Sequence, residues 1–347
     1  MAQAAVTTSD RTPVPPAPPL EVGRGVSPAS VLKYLVQRRE ATVITVTVLA
    51  IIYFAVRTSS IFQVANISVT TQYMGPILVI GVGEVLMLVL AEIDLSAGQV
   101  YLTAPWFVYW FWHNMGVPIG LAIVISLALC AAIGLTNGLI TVLLGVPSLV
   151  VTLGMQFLLY GVVLVVSSYT QEQLPVLGTT YATIFGAGAW ADLGWGVAIA
   201  AGIWFLLKRT RFGVHVTATG GNTLAAAEAG IPVKRVKVWC FMIVSVVSGY
   251  IGILDLIRQV SMDPGSYGLN IVLAPIVAAV IGGTALTGGR ATVLGTFIGA
   301  LFLSIVDDGL NLTGVSANWF YLLEGIIILV LMIINVRLGR FALRFRR

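Results

Sequence analysis

The chain has 347 residues, of which 58% are hydrophobic and 10% charged, with a formal net charge of +5. A soluble domain carries about 25% charged residues, and a soluble core of this length does not hide so much apolar surface. A soluble enzyme, a nucleic-acid binder and a disulfide-stapled scaffold are excluded, and a lipid bilayer is the solvent left.

Residues 1–30 contain Pro13, Pro15, Pro16, Pro18, Pro19 and Pro28 and little that could be buried. They are predicted to form a disordered, Pro-rich cytoplasmic tail. The tail lacks the charged start, apolar stretch and small-residue cleavage site of a signal peptide. Residues 31–347 read as a single transmembrane domain. A spanning helix takes about 20 mostly apolar residues, and ten such runs follow a basic stretch from Lys33 to Arg39. They lie at 41–57, 67–91, 97–112, 118–143, 148–168, 190–207, 236–256, 269–286, 291–310 and 319–336. The expected fold class is therefore an all-α polytopic membrane protein with about ten transmembrane helices.

An even count puts both termini on one side, and the cationic residues choose the side. With a cytoplasmic N-terminus, fifteen Lys and Arg residues from Lys33 onward fall on inner segments, and only Arg57 and Arg258 on outer ones. Both termini are thus expected in the cytoplasm. The same asymmetry accounts for the positive charge without a nucleic-acid partner. The external loop 169–189 carries Tyr169, Glu172 and Pro175. The longest cytoplasmic loop, 208–236, is alanine-rich at its centre, Asn222 to Gly230, and a short helix is expected there across the inner membrane surface.

Some spans read as broken. Gly75–Pro76 interrupts the second, and Pro275 with Gly282–Gly283 the eighth, because proline removes a backbone donor and glycine loosens a helix. Such breaks either line a transport pathway or serve packing. Gly134-x-x-x-Gly138 and Gly295-x-x-x-Gly299 allow close helix approach. Glu84 and Glu324 lie well inside apolar runs, where a charge costs about 2.5–3.5 kcal/mol on insertion scales. They are either a proton or cation relay, or protonated or hydrogen-bonded packing groups without a Lys or Arg partner inside the spans. Asp94 and Ser96, at the inner turn between the second and third spans, are read as acceptors for free N–H groups at the start of the third helix. The other reading is direct contact with a cytoplasmic partner.

The missing motifs matter as well. No Gly-x-x-x-x-Gly-Lys-Ser/Thr loop, His-Glu-x-x-His or Gly-x-Ser-x-Gly stretch occurs, and no Cys/His spacing fits a metal site. Catalytic residues, a metal and a cofactor in this chain are not expected. Cys130 and Cys240 are read as small buried residues.

Four stretches, in order, carry a family resemblance. They are Ile93-Asp94-Leu95-Ser96-Ala97-Gly98 and Pro147-Ser148-Leu149-Val150-Val151-Thr152-Leu153-Gly154. Then come Thr210-Arg211-Phe212-Gly213 through Gly220-Gly221-Asn222, Ala225-Ala226 and Gly230-Ile231, and finally Ala278-Ala279-Val280-Ile281-Gly282-Gly283-Thr284-Ala285-Leu286. Over roughly residues 40–340 the chain resembles the permease subunit of bacterial ATP-binding-cassette importers for monosaccharides, of the ribose/xylose type. It departs from the family's usual residues at Glu92, Ala97 and Arg290.

The resemblance implies a multi-pass permease in the bacterial cytoplasmic membrane. Two permease chains, expected as a homodimer, form the pore. Two copies of a separate ATPase subunit, carrying ATP and Mg, bind below, and an external sugar-binding protein delivers a pentose, hexose or polyol. Transport runs by alternating access. Gly220, Gly221, Asn222, Ala225, Ala226, Ala229 and Gly230 are the residues expected to couple the chain to the ATPase. Asp94, Ser96 and Gly98 form the inner-turn motif, and Gly75, Pro76, Pro275, Gly282 and Gly283 are candidates for the pathway. The alternatives are an ion-coupled secondary transporter acting without an ATPase and, within the importer class, a nucleoside or sugar-like signal as substrate.

Overall fold

The computed structural model describes residues 39–174, 182–188, 190–266 and 268–316, with single positions between 319 and 333. The Pro-rich tail, Glu324, Pro175 and most of the expected tenth span lie outside the described residues. Among those described, the helices are α1 (Arg39–Arg57), α2 (Val64–Val89), α3 (Ala97–Met115), α4 (Ile119–Leu143), α5 (Ser148–Ser167) and α6 (Ala191–Arg209). They continue with α7 (Arg211–Gly221), α8 (Thr223–Glu228), α9 (Val233–Gln259), α10 (Gly268–Ile281) and α11 (Val293–Leu312). Strands β1 (Glu172–Gln173) and β2 (Ser261–Met262) form a small antiparallel ribbon, with Glu172 opposite Met262.

Six of these helices, α2, α4, α5, α6, α9 and α11, are long and apolar enough to cross a bilayer. The chain is an all-α integral membrane protein. The stretch expected as one cytoplasmic loop, 208–236, is largely helical, holding the end of α6, all of α7 and α8, and the start of α9.

Two helices form the centre. α2 packs against α6, α9, α10 and α11, and α9 against α2, α3 and α4. Spans at the edge are apolar all round and turn side chains such as Leu121 and Val124 of α4 and Leu158 and Val165 of α5 outward. Such faces are at no disadvantage in lipid, so burial here does not follow hydrophobicity. What draws helices to the centre is closeness. A Cβ on Gly138 would stand 2.8 Å from the Cα of Val238, and one on Gly134 2.5 Å from the carbonyl oxygen of Phe241, so α4 lies backbone to backbone on α9. Gly295 and Gly299 seat α11 against Gly282 and Ala278 in the same way.

The expected interruptions at Gly75–Pro76 and at Pro275 differ from the structure, whereas the one at Gly282–Gly283 is present. α2 runs without a break through Gly75 and Pro76. Gly75 serves packing, since a Cβ there would come within 2.8 Å of the Asp192 Cβ on α6. α10 likewise runs through Pro275 and ends at Ile281, and Gly282 and Gly283 form the turn that follows. A proline costs its helix one hydrogen bond, and tightly packed neighbours hold the rest of the ladder straight. The backbone beside Pro275 is itself in close contact, for its carbonyl oxygen lies 3.1 Å from where a Gly81 Cβ would be.

Candidate functional site

The long helix α9 serves as a ruler. Near its start Lys237 pairs with Glu92 at 2.5 Å, and farther along Gly252 lies against the main chain of Tyr101. At 1.5 Å per residue the two points are about 22 Å apart. Between Glu92 and Ala97, therefore, the chain climbs back into the bundle as irregular backbone, and α3 starts deep inside it. The inner-turn position expected for Asp94 and Ser96 is corrected by this: both are fully buried. The turn itself sits earlier, at Ala91, whose φ of 58° is left-handed.

Irregular backbone at membrane depth persists only where protein satisfies its polar groups. Here the partners come from two directions. The Leu95 N–H donates to Thr152 Oγ1 at 3.1 Å and the Ile93 N–H to Ser148 Oγ at 3.4 Å. The Asp94 N–H reaches Glu84 Oε2 at 3.5 Å. The Asp94 carboxylate accepts from the N–H and the hydroxyl of Ser96, at 2.9 and 2.6 Å, and Asn137 donates to Ser96 Oγ at 2.9 Å. The Asp94 side chain is thus engaged by Ser96, the residue before α3, and the Ser96 side chain makes no capping bond to the first N–H groups of α3. Glu84 is likewise fully buried and engaged with the coil. Gly98 lies against Gly268 so closely that a Cβ would overlap the Gly268 carbonyl, and the Gly268 N–H donates to Gln99 Oε1 at 3.0 Å. Two helices, α3 and α10, thus begin side by side within the bundle. α10, at 14 residues, is about 21 Å long and spans only part of a hydrocarbon core about 30 Å thick.

The first two motif stretches therefore meet each other, and the third meets the turn that follows the fourth. At the opposite end of the bundle from the ribbon, Gly220 abuts the carbonyl oxygen of Val89, the last residue of α2, and Gly288 and Gly289 lie against Gly220 and Gly221. The Asn222 side chain caps α8 by accepting from the Ala225 N–H at 3.0 Å. Gly230 closes the segment with φ 81°. Around this end Lys208, Arg209, Arg211, Lys234, Arg235 and Arg290 are all exposed. Ala225 and Ala229 are exposed, but Ala226 is 4% exposed and faces its own chain. It is thus not part of the outward surface expected from the sequence. The residue that protrudes is Leu224, 78% exposed, which sequence reasoning passed over because one leucine in an apolar chain carries no signal.

A second polar group near the ribbon was also missed. Arg258 is bonded to Asp255, forms an ion pair of 3.2 Å with Asp192, and donates to Gln72 Oε1 at 3.0 Å. Tyr101 and Gln259 donate to the other Asp255 oxygen. The acids at this end do have a cationic partner, which comes from the end of α9, and its carboxylates come from two helices. Gly75 lies beside this group at Asp192, whereas Gly282 lies at the far end against Gly295. The structure does not bring the expected pathway residues into one site. Among the described residues, no cluster of three or more His, Cys, Asp or Glu side chains is arranged to hold a metal ion.

Spans that enclose irregular backbone satisfied by neighbouring protein are a feature of transport proteins, and simple membrane anchors have no use for one. Residues 64–332 match the family described as branched-chain amino acid transport system / permease component, and the chain belongs to that permease family. It is 32% identical to the xylose/arabinose import permease protein of Sulfolobus acidocaldarius, over 87% of this chain and 86% of that one. It is 31% identical to the ribose import permease protein of Escherichia coli, over 79% of this chain and 86% of the other. An L-arabinose ABC transporter permease protein of Azospirillum brasilense is 33% identical over 59% of this chain and 60% of its own. No solved structure matches the sequence significantly.

Proposed function

We propose that this chain is the membrane-spanning subunit of an ATP-driven importer that moves a monosaccharide, a pentose, hexose or polyol, across the bacterial cytoplasmic membrane. Two copies form the pore by this reading, with ten spans each and both termini in the cytoplasm. A separate ATPase carries ATP and Mg and docks at α8, and an external binding protein supplies the sugar. Alternating access follows from movement of α8 when the ATPases close. The names of the relatives support the substrate class. The family's description supports a second reading, a branched-chain amino acid, which uptake of labelled leucine and of labelled pentose by the same assembly separates.

The observation that carries the coupling role is the attachment of α8. It exposes Leu224 and Ala225 among basic residues, and its stalk, α7, meets the end of α2 without a gap at Gly220 and Val89. A push on α8 is therefore delivered to a central helix. The test replaces Leu224→Glu and Ala225→Arg in the reconstituted complex. Both chains should insert and assemble, and sugar-stimulated ATP hydrolysis should fall by at least about tenfold, the effect expected of a central contact in an interface. Cysteine at position 225 should cross-link to the ATPase, with Cys130 and Cys240 buried and silent. Normal coupling in both variants, with no cross-link from any position between 222 and 230, would remove the assignment. An impermeant thiol reagent applied outside intact cells should label cysteines at 169–174 and spare those at 222–225; the reverse pattern overturns the topology.

A further inference from the structure

Near the ribbon the bundle holds a cavity of about 300 Å³ between α3, α9 and the start of α10. This is at the lower end of the range for ligand pockets, about 300–1,000 Å³. Its base is the contact of Gly252 with the Tyr101 main chain, the same contact that marks where α3 begins its climb. Its side is the β1–β2 ribbon, which is tied to α3 by the Tyr109 hydroxyl donating to Glu172 at 2.7 Å and to α9 by the Leu174 N–H donating to the Val260 carbonyl at 3.0 Å. The cavity thus has a built wall, and it ends where two helices start inside the membrane.

The lining mixes two kinds of surface. Tyr101 and Trp106 supply aromatic rings, and Gln171, Gln259, Asp255 and Asp263 supply amide and carboxyl groups. Asp255 is already engaged by Tyr101, Arg258 and Gln259, so its role is to hold Gln259 in place with the amide oxygen left over. Arg258 itself is drawn behind the wall by Asp255, Asp192 and Gln72, and among the described residues no Lys or Arg lines the cavity. A carboxylate or phosphate would meet two acids and no cation here. A neutral polyol has C–H faces for the rings and hydroxyl groups that both donate and accept.

We propose that this cavity is a subsite for a neutral monosaccharide, lying between Trp106 and Gln259, that holds the sugar inside the permease before the pathway opens below Tyr101. The inference rests on the sugar-importer reading and adds to it a place where the sugar rests in this chain. Its ligand class excludes sugar phosphates and other anions.

The test uses the full-length permease in its complex. Cysteine is introduced as Ser266→Cys at the cavity and as Glu228→Cys on α8, and labelled with a methanethiosulfonate reagent. Millimolar D-xylose or D-ribose should slow labelling at 266 several-fold and leave 228 unchanged, and leucine should do neither. Gln259→Leu and the cavity-filling Ser266→Trp should lower the rate of sugar uptake about tenfold, the scale of a lost polar contact, while the binding protein still stimulates ATP hydrolysis. Labelling at 266 that neither pentoses nor hexoses affect overturns the proposal, as does wild-type uptake by both variants. A wild-type complex that imports no sugar overturns the importer reading together with it. Sugar import with unprotected labelling overturns the subsite alone.

Discussion

Gly220 lies so close beneath the last turn of α2 that a Cβ on it would overlap the carbonyl oxygen of Val89, and that oxygen also accepts the Gly289 N–H at 2.8 Å. One backbone carbonyl therefore joins the central helix, the stalk of α8 and the turn after α10. The neighbouring Gly221 has nothing within 4 Å of its Cβ position.

This pair of glycines makes a matched test. Gly220→Ala must push α7 away from α2, and overpacking of this kind costs about 1–3 kcal/mol. Gly221→Ala should stay within about 0.5 kcal/mol of the parent, as exposed substitutions do. Thermal unfolding in detergent, followed by tryptophan fluorescence, reads the difference. Equal melting of the two variants would contradict the contact.

The coil from Glu92 to Ala97 depends on side chains of α5. Thr152→Val removes the Thr152 acceptor from the half-buried Leu95 N–H, at a cost of about 1 kcal/mol, while Thr152→Ser keeps the oxygen and should restore most of the loss. Hydrogen exchange of peptides covering 92–97 should speed up in the valine variant. Unchanged protection would mean that water serves these groups as well as the threonine does.

Lys237 and Glu92 are 19% and 14% exposed at the side chain and 2.5 Å apart. Removing one partner strands the other charge in a poorly solvated place. Lys237→Met should cost about 1–3 kcal/mol, between the surface and the buried limits. Glu92→Gln added to it should return much of that stability. A double variant as unstable as the sum of the singles would show the pair to be uncoupled.

Gly134 and Gly138 place α4 on α9, while Gly154 and Gly161 on α5 have open space at their Cβ positions. Gly138→Leu should lower the yield of folded protein and its melting temperature. Gly154→Leu should lower neither in the single chain, and size-exclusion profiles of both variants provide the check. Tolerance of leucine at 138 would rule out the α4–α9 backbone contact.

The relation between sequence and structure differs from one feature to another. The apolar runs at 118–143 and 148–168 correspond within a residue to α4 and α5, because the length of an apolar run is a property of consecutive residues and lipid imposes a minimum length. The third run also starts at the right residue, 97, yet its depth was misjudged. A helix start reads the same whether it lies at the membrane surface or inside the bundle. Only the contacts of Glu92 with Lys237 and of Tyr101 with Gly252 separate the two.

The sequence by itself determined that this protein lives in a bilayer, that it is helical, and that four short stretches rich in small and polar residues set its family. These follow from composition and local pattern, which need no partner. Tertiary structure alone decided that the first two stretches meet, Ile93–Gly98 on Ser148 and Thr152, and that Gly220 of the third packs on Val89 and Gly289. It also decided that Arg258 neutralises Asp255 and Asp192, and that Ala226 faces inward while Leu224 faces out. In a membrane the hydrophobic effect puts helices into lipid but does not choose their neighbours. That choice is made by backbone closeness at glycine and by the pairing of buried polar groups, and both depend on residues far apart in the chain.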